Sequence, residues 1–72
     1  MLTLGKVQLV THLEKKGLSL LSIHQKTYRG VRTSDVEVRG YSRSLGRIRR
    51  KTFRIMSVNP DVICRIIDRH WY

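Results

Sequence analysis

The chemistry available to this chain lies in its arginines. The run Arg47-Ile48-Arg49-Arg50-Lys51-Thr52-Phe53-Arg54 places five cations in eight residues, and Lys26, Arg29, Arg32, Arg39 and Arg43 precede it. Residues 25–56 therefore hold ten basic side chains against Asp35 and Glu37, a local charge of +8. Residues 1–24 carry only +2, and residues 57–72 are neutral. Ten of the fifteen cations are arginine. A guanidinium grips a phosphate or a guanine edge through two parallel hydrogen bonds, whereas an ammonium is a point charge. A run of like charge can also be a solvated arm. Here Tyr28, Val31, Val36, Val38, Tyr41, Ile48, Phe53, Ile55 and Met56 interleave with the cations, which is more apolar anchoring than an arm requires. The segment reads as a folded nucleic-acid-binding surface made of Arg29, Arg32, Arg39, Tyr41, Arg43, Arg47, Arg49, Arg50, Lys51 and Arg54. Within it, Arg43 and Arg47 are expected to enter a groove while Arg49, Lys51 and Arg54 hold phosphates. Tyr41 is the candidate for stacking, and Phe53 belongs to the core. Ser42 and Ser44 read as turn chemistry more than as phosphate contacts.

No other constellation competes. His12, His24 and His70 are widely spaced and lack a second ligand at metal spacing, so no metal or cofactor is expected. His24 as general base, with Tyr28 and an arginine, would suit a ribonuclease-like toxin, but no spacing singles out that set. No catalytic residues are assigned, and the chain is read as a binding protein, not an enzyme. Asp35 and Glu37 relieve repulsion in a basic neighbourhood. Cys64 is most simply a small buried hydrophobe.

Elements of ordinary kinds must position these residues. Thr3 as N-cap, with Leu4, Val7, Val10 and Leu13 near helical spacing, predicts a first helix that Gly17 ends. In Leu18-Ser19-Leu20-Leu21-Ser22-Ile23, Ser19 as N-cap favours a short second helix to about Lys26. A strand competes closely, because Leu21, Ile23 and Gln25 alternate and Thr27-Tyr28-Arg29-Gly30-Val31 has strand content. Val36–Arg39 and Arg50–Met56 alternate with period two, predicting a basic hairpin with a long loop, Gly46 at positive φ and a bulge at Gly40. Asn59, Pro60 and Asp61 form a helix start. After it, Val62, Ile63, Ile66, Ile67, His70 and Trp71 share one face, and Asp61 and Arg65 pair at i, i+4 on the other. The expected fold is α+β: an N-terminal helix, a basic antiparallel hairpin or three-stranded sheet, with a winged-helix-like arrangement admissible, and a C-terminal amphipathic helix.

Length bounds the rest. At 72 residues the chain forms one small domain, with a single thin core. The stripe Val62, Ile63, Ile66, Ile67 and Trp71 is wide for such a core and is expected to form a homodimer interface. No apolar run is long enough to span a membrane, and no signal-peptide pattern opens the chain, so a cytoplasmic (nucleoid-associated, if bacterial) protein is expected. These features together suggest a DNA-binding regulator of transcription or recombination of bacterial, plasmid or phage type, with DNA preferred over RNA. The alternative is an inhibitor or adaptor whose basic face meets an acidic protein partner. RNA binding and the ribonuclease-like toxin rank lower.

Overall fold

A computed structural model describes residues 4–71, so Thr3, the expected cap of the first helix, lies outside the described residues. Helix α1 (Leu4–Lys15) leads into three strands, β1 (Leu18–Tyr28), β2 (Val31–Ser42) and β3 (Arg47–Ile55), and helix α2 (Pro60–Trp71) closes the chain. The strands form one antiparallel sheet in the order β1-β2-β3. This is the expected α+β class with the three-stranded form of the sheet. No described helix is long and apolar enough to cross a membrane.

Both helices pack on one face of the sheet. Leu9 and Leu13 of α1 meet Ile63, Cys64, Ile67 and Trp71 of α2, and beneath them lie Leu18, Val36, Val38, Phe53 and Ile55. Each fully buried aliphatic side chain here contributes about 1.5–3 kcal/mol. The two helices run in the same direction, joined by a bond from the Gln8 amide to Asp61 and by His12 Nε2, 2.8 Å from Asp68 Oδ2. The expected Asp61–Arg65 pair is replaced by that Gln8 contact, because Asp61 faces α1 instead of lying along its own helix. On α1 the buried pair is Leu9 and Leu13, at i, i+4, while Val7 is exposed. The predicted stripe through Val7 and Val10 is therefore displaced around the helix.

The second segment is a strand, which overturns the first-choice helix and with it the winged-helix arrangement. Gly17, at φ 76°, ends α1 and turns the chain straight into β1. Leu18 and Leu20 then face inward opposite Gly40 and Val38. The bulge falls between Leu20 and Ser22, not at Gly40. Gly40 keeps regular pairing, and its missing Cβ makes room for the Leu18 side chain and the Trp71 ring. The strand-like run around Arg29-Gly30 is a turn: both residues have positive φ (52° and 78°) between the paired Tyr28 and Val31. Two positive φ values in a two-residue loop are the mark of a type I′ turn.

Local signals elsewhere hold. Asn59 caps α2 through its side-chain oxygen, which accepts from the Asp61 amide at 2.9 Å. Gly46 takes φ 67° in the β2–β3 loop. His70, predicted on the apolar face of α2, is exposed, while Ile63, Ile67 and Trp71 are at most 4% exposed within the chain's own core. Of the five residues expected at a dimer interface, only Val62 and Ile66 remain half-buried at its margin.

Candidate nucleic-acid interface

Strand parity distributes the cations over two faces. Phe53 points into the core opposite Val36, so Lys51, Arg49 and Arg47, at two-residue steps, share its helix-covered side. Arg54 and Arg50 point the other way, onto the face that no helix covers, as does Arg39 directly opposite Arg50. The ten predicted residues therefore do not form one continuous patch.

On the helix-covered side the cations serve the fold. Lys51 Nζ donates to the His70 carbonyl at 2.8 Å, satisfying an acceptor at the C-terminal end of α2 where a cation also complements the helix dipole. Arg49 lies 5.6 Å from the centre of the Trp71 ring and is partly covered. These two were expected to hold phosphates, and the structure gives both a partner within the protein.

The middle of the open face is ion-paired. Arg54 Nε donates to Asp35 Oδ1 at 3.2 Å, and Lys26 Nζ sits 3.6 Å from Asp35 Oδ2. The Arg54 hydrogen bond, with the charges of Arg54 and Lys26, holds the Asp35 carboxyl below its ordinary range. Arg50 reaches Glu37 at 3.5 Å. The expectation that Asp35 and Glu37 offset local repulsion is met pair by pair.

The two ends of the sheet differ from that middle. Beyond Ser34, where pairing with β3 stops, β1 and β2 continue as a two-stranded ribbon. Lys26, Tyr28, Arg29, Val31 and Arg32 are exposed on this ribbon, and the Arg29 guanidinium lies 5.4 Å from the Tyr28 ring centre. At the opposite end, the β2–β3 loop carries Arg43, with Arg47 at its base. The loop is shaped by the Gly46 amide donating to the Ser42 carbonyl at 2.8 Å and by Ser42 Oγ contacting Ser44 Oγ and the Leu45 amide. Both serines thus take the turn role predicted for them. Beside the loop on the open face lie Tyr41, 57% exposed, and Ile48, 51% exposed, directly opposite one another, with the Arg39–Arg50 pair next to them. Like charges directly opposite in a sheet are destabilising. Glu37 offsets Arg50 alone, so Arg39 leaves an electrostatic cost that a bound anion would remove.

Among the described residues of the predicted surface, Arg29, Arg32, Arg39, Arg43 and Arg47 form no ion pair with a carboxylate. All five sit at or beside the two sheet ends. Reading the sequence missed three residues that share these ends, Lys26, Tyr28 and Ile48. Parity counted outward from Phe53 would have placed Ile48 on the open face. His24 and Tyr28, the pair considered for a ribonuclease-like site, share a face of β1 four residues apart, roughly 13 Å along the strand. Cys64 is buried as expected, and burial together with the charges of Asp68 and Asp61 pushes its thiol pKa up. Comparison of the chain with known protein families, with curated proteins and with solved structures finds no match.

Proposed function

We propose that this chain is a duplex-DNA-binding domain that uses the two ends of its sheet. The observation that carries this reading is the set of five arginines without a carboxylate partner, Arg29, Arg32, Arg39, Arg43 and Arg47, gathered at those ends. A guanidinium left without an internal anion is ready to take a phosphate or a base edge. The surrounding surface suits that role. The β1–β2 ribbon has the form that the major groove of B-DNA admits, and Tyr41 offers an exposed ring next to Arg39. Duplex DNA is favoured over RNA because the deep, narrow major groove of A-form RNA does not admit a ribbon of this width. A role in regulating transcription or recombination follows as the use such a domain would serve.

Electrophoretic shift with duplex DNA, duplex RNA and heparin as competitor tests the reading. Retarded DNA complexes that resist competition by duplex RNA support it. Complexes formed equally with all three polyanions would reduce the surface to an unspecific cation exchanger. Absence of any complex would favour an acidic protein partner for the same arginines.

A further inference from the structure

Two basic ends separated by an ion-paired middle invite the question of what single ligand fits both. β2 runs from Val31, beside the Arg29-Gly30 turn, to Ser42, beside Arg43. Its eleven residue steps at about 3.3 Å span about 36 Å, shortened somewhat by strand twist. The long axis of the molecule is 40 Å, so the sheet ends are nearly the molecule's ends. In B-DNA one helical turn covers about 34–36 Å, after which the same strand returns to the same side of the duplex.

We propose that the protein lies along a B-form duplex and contacts phosphates at both sheet ends, one helical turn apart. This rests on the DNA-binding reading above. Lys26 and Arg29 belong to the ribbon end of the open face and Arg39 and Arg43 to its loop end, while Arg32 and Arg47 flank the same two ends from the helix-covered side by strand parity. The open face is common to both ends, since Lys26 and Tyr28 share a side with Arg39 and Tyr41 by alternation. Between them, Arg54 pairs with Asp35 and Arg50 with Glu37, two cations against two carboxylates, while Lys26, which also reaches Asp35, leaves the excess charge on the ribbon side. A ligand lying across this face meets positive charge at its two ends and an ion-paired stretch where the groove would pass. β1 and β2 run between the two ends, so the second contact is intramolecular once the first has formed. Affinity then rises steeply when the duplex is long enough to reach both, and not before.

Fluorescence anisotropy with labelled duplexes of about 8 and about 16 base pairs tests this span, the first shorter and the second longer than one turn. Wild-type protein should bind the longer duplex more than about tenfold tighter, beyond the few-fold gain from additional positions. The double variant Arg29→Asn/Arg32→Gln should lose that advantage, binding the longer duplex about as weakly as the shorter one. Arg43→Ala/Arg47→Ala should do the same from the other end, and circular dichroism should show each variant folded. Equal affinity for both lengths, or variants that weaken both lengths by the same factor, would overturn the two-ended contact while leaving DNA binding intact. Failure to bind either duplex would overturn the DNA-binding reading and this inference together.

Discussion

Replacing Arg29 with asparagine should raise stability while lowering DNA affinity. Arg29 holds φ 52°, a left-handed conformation, in a two-residue turn followed by Gly30. For a residue with a Cβ that conformation costs roughly 1–2 kcal/mol, and asparagine tolerates it better because its short side chain can hydrogen-bond locally. Asn-Gly is a preferred pair for a type I′ turn. Against this gain stands the loss of the guanidinium's contact with the Tyr28 ring, worth about 0.5–1 kcal/mol at an exposed site. The balance is a gain of about 0.5 kcal/mol. For a domain of this size that moves Tm up by about 2–4 °C. Thermal unfolding followed by far-ultraviolet circular dichroism reads the shift, and anisotropy with a 16-base-pair duplex reads the affinity. A Tm equal to or below that of the parent would refute the assignment of strain to Arg29. An unchanged affinity would refute its contact with DNA.

Three further substitutions test packing and electrostatics. Ile67→Asp should unfold the protein at every concentration, instead of releasing folded monomers, because Ile67 is 0% exposed inside the chain's own core; sedimentation with circular dichroism distinguishes the two. Gly40→Ala should lower stability by about 1–3 kcal/mol in chemical denaturation, as overpacking does, since a Cβ there meets Leu18 and Trp71. The Asp35 pKa is lowered in the folded state, so its contribution to stability is present above the ordinary carboxylate range and fades as pH falls through the lowered value. Asp35→Asn should flatten that acid limb of the stability curve, and a limb unchanged by the substitution would remove Asp35 from the account.

Signals confined to a few adjacent residues were legible in the sequence. Asn59-Pro60-Asp61 specifies a helix start because the cap and the first turn lie within three residues. Gly46 marked its loop because a positive φ is a local requirement. β1 was obscured because Ser19 imitates a helix cap and the bulge at Leu21 breaks the alternation: the inward residues run Leu18, Leu20, then Ile23, a step of three where a regular strand keeps two. Only pairing with β2, about twenty residues downstream for Leu18 and Gly40, decides the matter. The arginines were legible as a charge but not as a surface. A count of +8 carries no register, and register is what sends Arg49 onto Trp71 and Lys51 to the end of α2 while Arg39 and Arg50 face outward. Likewise the apolar stripe on α2 was read correctly as a stripe, but its width was judged without β1. That strand adds Leu18 to the core, with Leu20 and Ile23 packed against it.

If arginines without a carboxylate partner bind duplex DNA, as proposed, the salt dependence of binding shows it most directly. Five such residues, Arg29, Arg32, Arg39, Arg43 and Arg47, engaging one phosphate each give a slope of log K against log salt near −4.5 on a 16-base-pair duplex. Arg43→Ala/Arg47→Ala should reduce it to about −2.7. A parent slope shallower than about −2, or a slope that the double variant leaves unchanged, would contradict the claim.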